Sequence, residues 1–220
     1  MTSLIVGAGS GLSAALARRL AARGPVHLVA RSGGRAEEVA AETGAELHLG
    51  KGNDAGRMRE IFEQIEGRID VLIYNPSARV RGALTEIDIT EAREAIDVTA
   101  TGALITGQLA TERMLSQEGD VKGTILFTGA SAGVKGFPKS AVFAMGKFAQ
   151  RGLAQSMSRE LHPQGIHVAW INIDGAIATA PGNDARLSPD AIADSYMHLV
   201  DQPRSAWSNE LTVRPYVESF

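Results

Sequence analysis

The stretch that decides the fold is Leu4-Ile5-Val6-Gly7-Ala8-Gly9-Ser10-Gly11-Leu12, an apolar run that enters a glycine-rich turn. Leu12, Leu16 and Leu20 follow at helical spacing, so the order predicts a strand, a tight turn and a helix. Glycines suit such a turn because its backbone must bend sharply and approach a pyrophosphate, whose charge then lies against free amide groups at the helix N-terminus. Since Leu12 occupies the third glycine position of the general G-x-G-x-x-G fingerprint, a purely structural turn is an equally good interpretation of this stretch alone.

A second apolar strand at 25–30 completes a unit with the length and order of a strand-helix-strand crossover, which favours a dinucleotide site. In NAD sites an acidic residue about 20 positions past the glycines usually binds the ribose hydroxyls. Between Pro25 and Ala36, however, no Asp or Glu occurs, and Arg31 directly follows the strand. We therefore expect NADP rather than NAD, with Arg31 at the ribose phosphate. The alternative is that Arg31 is a solvated surface charge.

Bulk properties narrow the classes of function. The 220 residues suit a single domain, 1–220, and the absence of cysteine excludes disulfides, a thiol nucleophile and cysteine zinc sites. None of the five histidines lies in a metal-ligand motif, so no metal site is predicted. The sequence has no signal peptide and no membrane-length apolar run, which predicts a cytoplasmic protein without a membrane partner. A net charge of −3 makes nucleic acid an unsuitable partner.

Strands and helices alternate without a linker along the rest of the chain. This pattern predicts an α/β fold, a Rossmann-type doubly wound parallel sheet of about seven strands with helices on both faces. A ligand crevice is expected beyond the carboxyl ends of the strands. The further predicted helices lie at about 36–42, 54–65, 90–116, 138–162 and 189–200, and the further strands at 46–49, 69–74, 124–127, 167–173 and 210–213.

Over nearly its whole length the chain resembles the short-chain dehydrogenase/reductase family. Gly7-x-x-x-Gly11-x-Ser13 resembles the glycine motif of that family, with Ser13 in place of the last glycine. The segment Tyr74-Asn75-Pro76-Ser77-Ala78 resembles the strand end that carries Asn-Asn-Ala-Gly in the family. Asn75 matches this motif, whereas Tyr74, Pro76 and Ser77 do not. The segment Asp174-Gly175-Ala176-Ile177-Ala178-Thr179 resembles Pro-Gly-x-Ile-x-Thr, which in the family lies along the nicotinamide. The nicotinamide dinucleotide contacts that we expect, from the glycine turn and this resemblance together, are Gly7, Gly9, Ser10, Gly11, Leu12, Arg31, Asn75, Lys147, Gly175, Ile177 and Thr179.

The resemblance also implies a catalytic set of Asn, Ser, Tyr and Lys. In the family, Tyr acts as the general acid or base, Lys lowers its pKa and holds the nicotinamide ribose, and Ser polarises the substrate carbonyl. Only Lys147 is present here, because Phe143 stands at the Tyr position and Thr99 at the Asn position. The Ser position falls at Ala130, and Ser131, one residue away, can serve only if the register of this loop is shifted.

Phenylalanine has no proton to donate, and a positioned donor is typically worth about 10²–10⁴ in rate. Lys147, one helical turn after Phe143, is a candidate donor if strong desolvation lowers its pKa from about 10.4. Tyr74 and Asp174 are further candidates, with packing and turn formation as their alternatives. The sequence leaves two functions open: an NADP-dependent oxidoreductase acting on an unknown carbonyl or alcohol substrate with an altered proton donor, and a catalytically inactive NADP-binding regulatory or scaffold protein.

The helix predicted at 138–162 has apolar and small residues beyond what one sheet face needs. In the resembled family this helix pairs with its copy across a two-fold axis, so a homodimer or homotetramer is expected. The residues that suggest this contact are Ala144, Phe148, Gly152, Leu153 and Met157.

Overall fold

Seven parallel strands form the central sheet. A computed structural model describes residues 1–178 and 185–218, and the predicted Rossmann-type α/β fold is confirmed. The strands are β1 Ser3–Val6, β2 Val26–Ala30, β3 Glu46–Leu49, β4 Val71–Tyr74, β5 Gly123–Thr128, β6 Ile166–Ile173 and β7 Glu210–Val213. Because helices cover both faces of such a sheet, inner strands are apolar along their length. Every residue of β1, β4, β5 and β6 is accordingly buried.

Helices pack on the two faces of the sheet and form two separate cores. One core joins α1, α2 and α7 to the sheet, and the other joins α3, α5 and α6. None of the described helices combines the length and the hydropathy that crossing a bilayer requires. The helices are α1 Leu12–Ala21, α2 Arg35–Thr43, α3 Ala55–Gln64, α4 Ile89–Ile96, α5 Gly102–Leu115, α6 Ala141–Leu161 and α7 Pro189–Val200.

The strand order β3-β2-β1-β4-β5-β6-β7 reverses direction between β1 and β4. The carboxyl ends of these two strands are joined there, since the Asn75 amide donates to the Val6 carbonyl at 3.0 Å. In open α/β sheets, ligands bind in the crevice beyond such a reversal. The fold therefore brings the glycine turn after β1 and the segment after β4 to one edge.

The long helix predicted at 90–116 is present, but it is not a regular α-helix throughout. A π-helical turn, Asp97–Thr101, separates α4 from α5. Tyr74, at the end of β4, donates its hydroxyl to the Val98 carbonyl at 2.5 Å, which satisfies a backbone group of this irregular turn. A Cβ atom at Gly102 would lie 2.1 Å from the Tyr74 hydroxyl oxygen, so the glycine makes room for the ring. Turns of this type occur frequently at functional sites.

Helix α6 begins three residues later than the 138–162 pattern predicts, at Ala141. Lys139 adopts φ 58, in the left-handed region that an α-helix of L-residues cannot include. Its carbonyl accepts a hydrogen bond from the Gly82 amide at 3.3 Å. Residues 137–140 are therefore a loop held against the segment that follows β4.

An apolar surface remains exposed on α5 and α6. Phe148 is 45% exposed and Met145 59% on α6, and the neighbouring α5 leaves Leu104 50% exposed. A Cβ atom added at Gly152 would meet no described atom within 4 Å. Ala144, Leu153 and Met157 are partly buried in the protomer, so the outer surface consists of Phe148, Gly152 and Met145.

We expect this surface of α6 to form an isologous contact between two copies of the chain. Gly152→Arg places a charged side chain in the contact without disturbing the protomer, and it should convert the oligomer to a monomer. Multi-angle light scattering at micromolar concentration measures this change. Gly56→Arg, on the exposed side of α3, is the matched control and should leave the mass unchanged; a monomeric parent protein would contradict the prediction.

Candidate functional site

The glycine turn after β1 is held by two polar side chains. Gly7 has φ 87, and a Cβ atom there would lie 2.8 Å from the Pro76 ring. Ser13 donates its hydroxyl to the Gly7 carbonyl at 2.9 Å, and the Asn75 side-chain amide donates to the Ser13 hydroxyl at 2.8 Å. Ser13 and Asn75 thus fix the turn from behind.

The front of the turn fits a pyrophosphate. Cβ atoms added at Gly9 and Gly11 would meet no described atom within 4 Å, so a ligand can approach this backbone closely. Ser10 and Gly11 are exposed at the N-terminus of α1. The side chain of Leu12 is buried in the core, so only its backbone can face a ligand. A cradle of this kind suits an anion next to the free amides of a helix N-terminus.

Arg31 directly follows β2 and is exposed at the same edge of the sheet. β2 lies beside β1, with Val29 paired to Val6, so Arg31 and the glycine turn emerge from adjacent strand ends. This placement permits a contact with a phosphate on the adenosine ribose.

Lys147 of α6 is buried although it is a lysine, with 2% of its surface exposed. Its ammonium donates to the Thr128 carbonyl at 2.6 Å and to the Gln150 side-chain oxygen at 3.3 Å. Among the residues that the structure describes, no carboxylate forms an ion pair with it. Burial, with the nearby charge of Arg79 adding to it, lowers the pKa of Lys147 to about 7.

Gln150 links Lys147 to the π-helical turn. Its side-chain amide donates to the Thr99 carbonyl at 3.2 Å, while its oxygen accepts from Lys147. Sequence reasoning missed Gln150, although its i+3 position places it on the same face of α6 as Lys147. Thr99 is itself buried, and its hydroxyl accepts from the Ala78 amide at 3.1 Å. Thr99 therefore anchors the segment after β4.

Phe143 lies where the sequence places it, one turn before Lys147, and its ring packs among alanines. Ala130, Ala132 and Phe143 form a small buried cluster. The guanidinium of Arg79 lies over the Phe143 ring, with its carbon 4.3 Å from the ring centroid, which is a cation–π geometry. Ala130 and Ala132, on either side of Ser131 in the loop after β5, pack against Phe143.

Ser131 lines a cavity together with Phe143 and Ala130, and its side chain also belongs to a polar group with Asp174 and Arg214. Arg214 Nε donates to the Asp174 carboxylate at 2.8 Å, and the Ser131 side chain also hydrogen-bonds to it. Burial raises the pKa of Asp174, but the hydrogen bonds from Ser131 and Arg214 outweigh burial and leave the pKa below its ordinary value. Asp174 is therefore ionised at neutral pH and is no proton donor.

Tyr74 is fully buried and commits its hydroxyl to the Val98 carbonyl. Burial, with the charge of Asp97 adding to it, raises the pKa of Tyr74 above its ordinary value. Its packing role at the end of β4 therefore accounts for this residue.

The segment after β6 borders the site at Gly175, which adopts φ 154 and lines a cavity next to Phe143 and Ala130. Ile177 pairs with Leu187 in an isolated bridge and packs against the core beside α1. Thr179 lies outside the described residues.

Three possible metal ligands meet on β2 and β3, which the spacing of the histidines does not reveal. His27 Nδ1 and His48 Nε2 are 3.1 Å apart, and both nitrogens lie within 4 Å of the Glu46 carboxylate. Strand pairing causes this convergence, because His27 is in register with Glu46. The two imidazoles can satisfy each other by a hydrogen bond.

Comparison with known proteins agrees with this fold. Residues 1–187 match the family model of the short chain dehydrogenases. An uncharacterized oxidoreductase of Staphylococcus aureus (strain N315) is 27% identical over 225 residues, which cover 97% of this chain and 96% of that protein.

Solved structures share the whole fold. A short-chain dehydrogenase from Rhodopseudomonas palustris is 30% identical, with a TM-score of 0.86 over 98% of each chain. An alcohol dehydrogenase from the archaeon Thermococcus sibiricus, complexed with 5-hydroxy-NADP, is 23% identical, with a TM-score of 0.86 over 99% of this chain and 97% of that one. The match over residues 1–187, together with the relative that is 30% identical, means that the chain belongs to the short-chain dehydrogenase/reductase family of oxidoreductases.

Proposed function

We propose that the protein is an NADP-dependent oxidoreductase that interconverts a carbonyl and an alcohol with a proton donor other than the family's tyrosine. Bound NADPH supplies the hydride. The observation that carries the proposal is the buried ammonium of Lys147, which no described carboxylate neutralises. Burying a charge without a partner opposes folding, and strongly shifted pKa values cluster at functional sites. The burial of Lys147 is therefore better explained by a role in the reaction than by a contribution to the stability of the fold.

The residues around the glycine turn have distinct roles in this proposal. Gly9, Ser10, Gly11 and the amide of Leu12 bind the pyrophosphate, while Asn75 holds the turn through Ser13. Arg31 binds the ribose phosphate, which favours NADP. On the opposite side, Gly175 and Ile177 border the nicotinamide, as the family resemblance implies; the same resemblance assigns Thr179, which lies outside the described residues, to the cofactor. The Thermococcus sibiricus enzyme solved with 5-hydroxy-NADP supports this choice of cofactor.

Lys147 is the proposed proton-exchanging group. A pKa of about 7 means that both protonation states are populated at neutral pH, as a general acid requires. Since the ammonium faces Thr128 and Gln150 and is only 2% exposed, we expect water to carry the proton between Lys147 and the substrate oxygen. Gln150 and the Thr128 carbonyl position the Lys147 side chain for this exchange.

The apolar cluster of Phe143, Ala130 and Ala132 favours a second candidate function. It places hydrocarbon where the family has its acid and its carbonyl-polarising hydroxyl, which suits a protein that binds NADP without turnover. Titration with NADPH, followed by nicotinamide fluorescence, and then a carbonyl panel on the same sample distinguish the two. Binding followed by oxidation supports the enzyme, and binding without oxidation supports the regulatory or scaffold protein.

Cofactor preference is expected to depend on Arg31. NADP(H) should bind more tightly than NAD(H), and Arg31→Ala should remove most of the difference, because a charge-assisted hydrogen bond to phosphate is worth roughly tenfold or more in affinity. Fluorescence titration gives the two dissociation constants. Arg35→Ala, at the first residue of α2, is the control and should keep the preference; equal dissociation constants in the parent protein would contradict the assignment.

The free energy of unfolding should depend on pH through the titration of Lys147. Its pKa is about 7 in the folded state and 10.5 in the unfolded one, so the unfolded state binds more protons between these values. The free energy of unfolding should therefore rise with pH across this window, by at most about 1.4 kcal/mol per pH unit from this group. Urea unfolding from pH 7 to pH 10 should show that Lys147→Met lacks this slope, whereas Lys51→Met, at an exposed lysine, keeps it. Parallel curves for the parent and Lys147→Met would refute the low pKa.

Restoring the family's groups should raise activity. Phe143→Tyr supplies a phenol beside Lys147, and Ala130→Ser supplies a hydroxyl for the carbonyl. The double variant should oxidise NADPH with ketones and aldehydes about 10- to 10⁴-fold faster than the parent, the usual worth of a general acid. Phe148→Tyr, the same change on the outer face of α6, should leave the rate of NADPH oxidation unchanged. If the double variant binds NADPH as tightly as the parent yet reduces no carbonyl compound, the result favours the protein that binds NADP without turnover.

A further inference from the structure

An open cavity of about 650 Å³ lies between the segment after β4 and the loop before α6. Ala130, Phe143 and Gly175 form one side of it, so it adjoins the proposed position of the nicotinamide. A volume of this order suits a small organic ligand. The cavity is therefore the place where a substrate would meet the hydride.

The charges around this cavity have one sign. Arg79, Arg81 and Lys139 line it, and no acidic residue occurs among its described lining residues. None of the three forms an ion pair with a described carboxylate. Asp174, behind Ser131, is engaged by Arg214. Clefts lined by charges of one sign concentrate ligands of the opposite sign.

Arg79 is the best positioned of the three cations. Its guanidinium carbon lies 4.3 Å from the centroid of the Phe143 ring, within the range of a cation–π contact, and the ring itself is buried. A guanidinium can bind a planar carboxylate through its N–H edge, because its five donors lie in the plane of the group. Partial burial and the charge of Arg81 lower the pKa of Arg79, but a guanidinium remains protonated at neutral pH and keeps its positive charge for an anion.

The two cationic segments are joined to each other. The Gly82 amide donates to the Lys139 carbonyl at 3.3 Å, which ties the loop that contains Arg79 and Arg81 to the loop before α6. Lys139 holds φ 58, a conformation that non-glycine residues rarely adopt and that is found preferentially at functional sites. The cations are thus held together on one rim.

We infer that the substrate is an oxo acid or the corresponding hydroxy acid, with its carboxylate bound by Arg79 and the surrounding cations and its carbonyl directed toward Gly175. Turnover of this substrate rests on the function proposed above. In the reduction, the carbonyl carbon gains the hydride of NADPH and the carbonyl oxygen gains a proton, which leaves NADP⁺ and a hydroxy acid. In this proposal the ring of Phe143 orients the guanidinium of Arg79 through the cation–π contact.

The test compares an acid with its uncharged ester on the holoprotein. Benzoylformate and methyl benzoylformate have nearly the same shape and differ in the carboxylate. Calorimetric titration of the NADP⁺-saturated protein should give at least roughly tenfold tighter binding of benzoylformate, with the advantage falling as salt is added. Arg79→Gln should remove this advantage and leave the weaker binding of the ester unchanged. Arg59→Gln, which removes the same charge on α3, should change neither.

The binding and turnover results separate the two proposals. Selective binding of benzoylformate that Arg79→Gln abolishes, without any NADPH oxidation, upholds the anion site and overturns the proposed oxidoreductase function. Reduction of both compounds at equal rates, unaffected by Arg79→Gln, upholds the oxidoreductase and overturns the anion site. Equal affinity of the parent protein for acid and ester at low salt overturns the anion site without reference to any variant. Faster reduction of dihydroxyacetone phosphate than of benzoylformate overturns the assignment of a carboxylate to the anion site and favours a phosphate as the bound group.

Discussion

The buried ammonium of Lys147 is the constraint around which the site is arranged. Its charge must be solvated by protein dipoles, and the Thr128 carbonyl at the end of β5 and the Gln150 side chain supply them. Thr128 is fixed in turn by a hydrogen bond of 2.8 Å between its hydroxyl and that of Tyr196 on α7. Elements from both faces of the sheet therefore converge on one polar centre, and its low dielectric is what brings the pKa of Lys147 near neutrality.

Phe143 stands at the position that the family resemblance assigns to a tyrosine, and its surroundings differ in more than one atom from those of a phenol. Without a hydroxyl, the ring packs against Ala130 and Ala132 and offers its face to the guanidinium of Arg79. Membership of the family gives the fold and the cofactor cradle, but the chemistry has to be argued from these side chains. The proposal of an anionic substrate therefore rests on the side chains of this chain.

The irregular turn between α4 and α5 shapes the back of the same site. Tyr74 holds the turn through the Val98 carbonyl, and Gly102 is needed because a larger residue would collide with the ring. The turn directs the Thr99 carbonyl toward Gln150, while the Thr99 hydroxyl binds the segment that leads to Arg79. One irregularity thus links the position of Lys147 to the cationic rim of the cavity.

The sequence by itself determined the fold, since strands and helices reveal themselves through local periodicity, and it determined the glycine turn and the pairing of Phe143 with Lys147 on one face of α6. It placed the helix start wrongly, because the left-handed backbone of Lys139 leaves no mark in the hydrophobic pattern. Only the tertiary structure placed Arg79 over Phe143, joined Gln150 to Thr99 and brought His27 to His48. These contacts join segments that are far apart in the chain, and their geometry depends on loop conformations and strand register, which no local pattern of residues encodes.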